Sequence, residues 1–137
     1  MRFLGIDLGE RRVGLAISDK TNLISTPLKV ISSEDLLNEL KLIVEEYEIT
    51  DVILGFPKNM NNTLGDSAQK ALDIKEKIIE QLKVNVCLQD ERRSTIAASK
   101  YMTDSNMSRN KRKKNIDSMA AAIILQTYLD RRDKNGR

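Results

Sequence analysis

At 137 residues, with 40% hydrophobic and 31% charged side chains, the chain is large enough to bury one core and too short for two ordinary domains, so a single domain over residues 1–137 is expected. Histidine is absent, which removes the commonest general base and zinc ligand and leaves any hydrolysis to carboxylates and oxygen-liganded cations. The net charge of +3 divides into −4 over residues 1–90 and +7 over residues 91–137, which points to a polyanionic partner or to a solvated basic tail.

Residues 2–8 read as a first strand. Asp7 stands where a secretory leader would need an apolar residue, so none is expected. Residues 12–19 alternate Val13, Leu15 and Ile17 with Gly14, Ala16 and Ser18, and the short link Gly9-Glu10-Arg11-Arg12 predicts an antiparallel hairpin. A third strand over 23–31 contains Pro27, which cannot donate to a ladder and so belongs at an edge. A helix from Ser33 to Glu46, capped by Ser33, carries the apolar stripe Leu36, Leu37, Leu40, Ile43 and Val44.

Asp51 to Leu54 reads as a short strand ending in Gly55-Phe56-Pro57, and residues 58–65 as a polar loop. Ser67 to Leu82 predicts a second helix, with Ala68, Ala71, Leu72, Ile78, Ile79 and Leu82 facing inward. Asn85 to Leu88 is a fifth strand. Within it Cys87, the one cysteine, reads as a buried thiol, and a lone cysteine predicts a reducing, cytoplasmic setting.

Ser94-Thr95 opens a third helix to about Met102, and residues 104–114 are polar, basic and aperiodic, hence expected to be mobile. Ile116 to Leu129 predicts a final helix, apolar on most sides; its apolar run Met119–Leu125 is too short to span a bilayer, so no membrane partner is expected. Three meandering strands followed by strands alternating with helices give an α/β fold with a five-stranded mixed sheet flanked by helices.

Three acidic positions stand out. Asp7 lies within a strand otherwise suited to burial, where a carboxylate needs a cation, a metal or hydrogen bonds. Its other reading is a structural acid at the hairpin. Gly5, Gly9 and Gly14 around it permit close approach of a backbone or a phosphate, or serve the turn alone. Asp90-Glu91-Arg92-Arg93-Ser94-Thr95 follows the fifth strand, at the strand end where α/β sheets usually carry their ligands, and also fits a surface ion-pair cluster with a helix cap.

Asp117 is the one acid in the apolar part of the final helix. Placed in its first turn, it is either a metal ligand or a carboxylate favoured by the helix dipole. Were the three acids to converge, they would suit Mg²⁺ or Mn²⁺, two ions roughly 4 Å apart serving an in-line phosphoryl displacement. The run Arg109-Asn110-Lys111-Arg112-Lys113-Lys114 would then hold phosphates, giving salt-dependent binding by backbone and shape rather than by base stacking.

Together these segments resemble the YqgF (RuvX) family of ribonuclease H-like proteins. The resemblance runs through Gly5-Ile6-Asp7-Leu8-Gly9, Arg12-Val13-Gly14-Leu15-Ala16, Gly55-Phe56-Pro57-Lys58-Asn59-Met60, Asp90-Glu91-Arg92-Arg93-Ser94-Thr95, Ile116-Asp117-Ser118-Met119-Ala120-Ala121 and Ile124-Leu125-Gln126-Thr127-Tyr128-Leu129. It implies a ribonuclease H-like domain with a catalytic, metal-binding triad at Asp7, Glu91 and Asp117 and a two-metal Mg²⁺ or Mn²⁺ site. Candidate nucleic-acid contacts are Arg12, Asn59, Arg92, Arg109, Lys111, Arg112, Lys113 and Lys114.

The activity implied is endonucleolytic processing of the 5′ end of pre-16S rRNA during ribosome biogenesis, on pre-ribosomal particles, by a monomer or homodimer. Alternatives are resolution of four-way DNA junctions and a non-catalytic RNA-binding role in ribosome assembly. One departure is Asn62, where the family usually has glycine; Gly65 is kept.

Overall fold

The alternation of Leu4, Ile6 and Leu8 with Phe3, Gly5 and Asp7 gives the first strand, β1 (Arg2–Leu8), two faces of different character. In the computed structural model, which describes residues 2–9, 11–56, 66–90 and 109–134, β1 pairs antiparallel with β2 (Arg12–Ser18) in a register that sets Asp7 opposite Gly14. The connecting turn is closed by the Gly9 N–H, which donates to the Arg12 carbonyl at 3.0 Å.

β3 (Ser25–Ser32) pairs with β2 and forms one edge of the sheet, where Pro27 is tolerated. β4 (Ile49–Phe56) lies parallel to β1, and β5 (Asn85–Asp90) parallel to β4. The strand order is β3-β2-β1-β4-β5. The expected mixed sheet is therefore present, with β4 and β5 each extending two residues beyond Leu54 and Leu88.

Two helices cover one face. Leu36, Leu40 and Ile43 of α1 (Leu36–Tyr47) and Ala71 and Ile78 of α2 (Asp66–Leu82) pack onto Leu4, Ile6, Val13, Leu15, Val52 and Leu54. α1 is preceded by a 3-10 turn, Ser33–Asp35, which is capped by Ser32 rather than Ser33: the Ser32 hydroxyl accepts from the Glu34 N–H at 3.3 Å, while the N-cap of α1 itself is Asp35. The Ser33 N–H donates to the Arg11 carbonyl at 2.9 Å, so residue 33 is held by the β1–β2 turn. On α2 the apolar row is Ala71, Ile74, Ile78 and Leu82. Ile79 lies one step off it and is 42% exposed, contrary to the expected inward position.

Among the described residues the opposite face is covered by α3 (Arg109–Lys134). Ala121, Ala122, Ile124, Leu125 and Leu129 pack against Phe3, Ala16 and Ile53. Cys87 is half-buried on this side, its Sγ 4.0 Å from the Tyr128 hydroxyl.

α3 starts seven residues before Ile116, so Arg109–Lys114 is helical rather than aperiodic chain. Lysine and arginine are good helix formers, but a run of them carries no apolar periodicity by which to recognise the helix. The helix expected over 94–102 and the loop over 58–65 lie outside the described residues, as does the stretch 104–108. Among the described residues no helix is long and apolar enough to cross a membrane.

Candidate functional site

Asp7 is half-buried and belongs to the face of β1 that Phe3 and Gly5 share, beneath α3. Its cross-strand partner Gly14 has no side chain, and α3 comes down onto that bare position. A Cβ built on Gly14 would fall on the carbonyl of Asp117 and stand 2.7 Å from the Ser118 nitrogen. One glycine therefore separates the strand carrying Asp7 from the helix backbone carrying Asp117. Gly5, two residues before Asp7, is covered in the same way, its virtual Cβ 2.9 Å from the Ala121 carbonyl and 2.8 Å from the Leu125 Cβ. Gly5 thus serves the packing of α3 and leaves no room for a phosphate.

These contacts fix the direction of the helix. Asp117 lies at the Asp7 end of the hairpin, Ala121 and Leu125 over Gly5, and Tyr128 edge-on to Phe3 with ring centroids 5.9 Å apart. α3 thus runs antiparallel to β1. Asp117 is its ninth residue, not a first-turn residue, so the dipole explanation for this acid falls away. The preceding eight residues carry the helix axis about 12 Å further, past the strand ends. Arg109, Lys111, Arg112, Lys113 and Lys114 all lie on that projecting segment.

Arg12, at the start of β2, is 59% exposed and places its Nε 3.5 Å from Asp117 Oδ2, whose side chain is 27% exposed. Gly9, Arg11, Arg12 and Asp117 line an open cleft of about 520 Å³ at this end of the sheet. From α2, the Lys70 Nζ donates to the Gly9 carbonyl at 3.3 Å, which brings a further cation to the turn. Arg11 and Lys70 were not among the residues expected from the sequence. Arg11 was visible in the hairpin link beside Arg12, whereas nothing in the sequence separates Lys70 from the other lysines of α2.

Of the expected triad, Asp7 and Asp117 are brought to one end of the sheet. Glu91 lies outside the described residues, as do Arg92 and Asn59. Glu91 directly follows Asp90, the last residue of β5, and the carboxyl ends of β1, β4 and β5 share one edge of the sheet because the three strands are parallel. Among the described residues no three His, Cys, Asp or Glu side chains gather. Asp7 and Asp117 provide only oxygen donors, a set that fits a hard divalent cation such as Mg²⁺ or Mn²⁺ and not a zinc site built on nitrogen or sulfur.

A three-strand meander continued by two parallel strands, with helices on both faces and an acid on the central strand, is the ribonuclease H-like architecture. The RuvX family profile, described as Holliday junction resolvase, matches residues 1–131, and the chain belongs to that family. A relative from Desulfitobacterium hafniense, provisionally named pre-16S rRNA nuclease, is 45% identical over 139 residues, covering 100% of this chain and 98% of its own. A relative from Desulforamulus reducens with the same name is 42% identical over 133 residues, covering 95% and 97%.

Among solved structures, RuvC from T. thermophilus in complex with a Holliday junction substrate aligns with a TM-score of 0.59 at 16% identity, over 97% of this chain and 96% of that one. The Fowlpox virus resolvase in complex with Holliday junction DNA aligns at 0.57 and 15% identity, over 95% and 97%. At such identities the likeness shows the fold.

Proposed function

We infer that this chain, acting as one domain over residues 1–137, is a divalent-metal-dependent endonuclease for structured RNA, and that its substrate is the 5′ region of precursor 16S rRNA. The observation that carries this reading is the seating of the Asp117 backbone on Gly14, directly opposite Asp7. That seating lays the backbone of residue 117 over the cross-strand neighbour of Asp7, which supports reading the two acids as parts of one site. The names of the relatives at 45% and 42% identity support RNA as the substrate.

Asp7 and Asp117 would hold the cations, with Glu91 as the third carboxylate. Bound there, Mg²⁺ or Mn²⁺ would supply charge stabilisation and nucleophile activation for an in-line phosphoryl displacement. Arg12 neutralises Asp117 from the solvent side and is exposed enough to turn to a backbone phosphate. The projecting helix segment carrying Arg109 and Lys111–Lys114 would track the phosphate backbone beyond the cleft, with Arg92 and Asn59 as further contacts. Such binding is salt-dependent and indifferent to base sequence.

Four-way junction DNA is the second substrate reading, favoured by the family description and by the junction complexes of the two resolvases. Symmetric resolution needs two sites related by a two-fold axis, whereas a single RNA cut does not. The test compares wild-type protein and Asp7→Asn on a precursor 16S rRNA fragment and on junction DNA, with Mg²⁺ or Mn²⁺ present and after chelation. Metal-dependent cleavage of the RNA, lost in Asp7→Asn while RNA binding persists, is the expected result. Undiminished cleavage by Asp7→Asn would remove the proposed site. RNA binding without cleavage under any metal condition would favour the assembly-factor role.

A further inference from the structure

We propose that Gly14 is a positioning residue for the metal-holding carboxylates, its missing side chain setting how far Asp117 stands from Asp7. The proposal rests on the reading of those two acids as metal ligands. Asp7 and Gly14 are directly opposed across the β1–β2 ladder, and opposed Cα atoms in an antiparallel pair lie about 4.5–5.5 Å apart. On the other side of Gly14 the next atoms are main chain: the Asp117 carbonyl and, 2.7 Å from where a Cβ would sit, the Ser118 nitrogen. Backbone atoms inside a helix cannot rotate aside as a side-chain tip can. Any β-carbon at position 14 must therefore push α3 off the strand at the very residue that carries the second carboxylate.

Gly5 provides an internal control. It lies beneath the same helix on the same face, and a Cβ there would also meet helix atoms, at 2.8 and 2.9 Å, but those belong to Leu125 and Ala121, at least one turn beyond Asp117. A purely structural role predicts that Gly5→Ala and Gly14→Ala behave alike. A positioning role predicts that they lower thermal stability in common and differ at the metal.

The experiment titrates Mn²⁺ by calorimetry into wild type, Gly5→Ala, Gly14→Ala, Asp117→Glu and the double variant Gly14→Ala/Asp117→Glu, with thermal melts of each. Gly14→Ala should weaken Mn²⁺ binding about tenfold or more, the range found when the support of a metal ligand is disturbed, with Gly5→Ala staying within about twofold of wild type. Asp117→Glu alone should also weaken binding, because the helix is held too close for a longer side chain. In the double variant the extra methylene should reach back over the opened gap and recover part of the affinity.

Equal metal affinities for Gly5→Ala and Gly14→Ala would overturn the proposal, as would wild-type affinity in Asp117→Glu, which remains decisive should Gly14→Ala fail to fold. Wild-type protein that takes up no Mn²⁺ would instead remove the metal reading itself, and the proposal with it.

Discussion

The two faces of the sheet are packed by different means. Beneath α1 and α2 the contacts are made by large aliphatic side chains, with Leu4, Ile6, Leu15, Leu54, Leu40 and Ile78 all fully buried. Beneath α3 much of the contact is made by small residues, Gly5, Gly14, Ala16, Ala121 and Ala122, over which the helix backbone nearly touches the strands. The first face buries much apolar area and tolerates small shifts in helix position, because branched side chains can repack. The second gives up side-chain volume for a fixed distance. The acids proposed for chemistry stand on the second, so stability and site geometry are largely assigned to opposite sides of one sheet.

That division can be broken by single substitutions. The largest expected effect is on catalysis: Asp7→Asn should abolish metal-dependent cleavage, by about a thousandfold or more, while moving the melting temperature little, since it exchanges the proposed ligand for a neutral side chain of the same size. A parallel loss of fold would show Asp7 to be structural instead. On the other face, Leu54→Ala should destabilise by about 2–5 kcal/mol in denaturant titration with Mn²⁺ affinity unchanged at temperatures where the variant is folded. A shift in metal affinity there would show that the two faces are not separable.

Arg12→Gln is expected to change stability by less than about 1 kcal/mol, because the pair with Asp117 is solvent-exposed on the arginine side. It should weaken RNA binding and lower the slope of log affinity against log salt by about 1, as for one lost phosphate contact. An unchanged slope would confine Arg12 to Asp117.

The smallest effect concerns an acid at the far end of the hairpin. Asp19 accepts from the Thr21 hydroxyl at 2.6 Å and from the Leu23 and Ile24 N–H groups at 3.0 and 3.2 Å, and these bonds, the Thr21 one foremost, hold its carboxyl below its ordinary value. A carboxyl lowered in the folded state stabilises at neutral pH, and that contribution is lost as pH falls from the ordinary value through the lowered one. Asp19→Asn should flatten the acid side of the stability profile slightly and leave cleavage untouched. Altered cleavage would show that the two ends of the hairpin are coupled.

The same contrast explains what the sequence could reveal. Strand alternation, the edge placement of Pro27 and the stripes of α1 and α3 were legible because burial leaves a period in the apolar residues. The start of α3 was not, because the sequence Arg109–Lys114 contains no apolar residue from which a stripe could be read. The misplacement of Asp117 in a first turn followed from that missed start. Asp7 could be recognised as unusual from its strand alone, and Asp117 from its apolar surroundings. That Gly14 joins them could not, because a glycine in a hairpin has too many ordinary reasons to be there, and only the descent of α3 onto it selects one. Lys70 reaches the Gly9 carbonyl across 61 residues of sequence, a contact no local pattern encodes.

Where a divalent cation binds is tested most directly by paramagnetic broadening of the backbone amide signals of wild-type protein as Mn²⁺ is added in substoichiometric amounts. Signals of Asp7, Gly14, Asp117 and Ser118 should vanish first, with the Asp19–Ile24 loop at the opposite end unaffected. Broadening centred on that loop or spread evenly over the acidic surface, with the Gly14 signal intact, would contradict it.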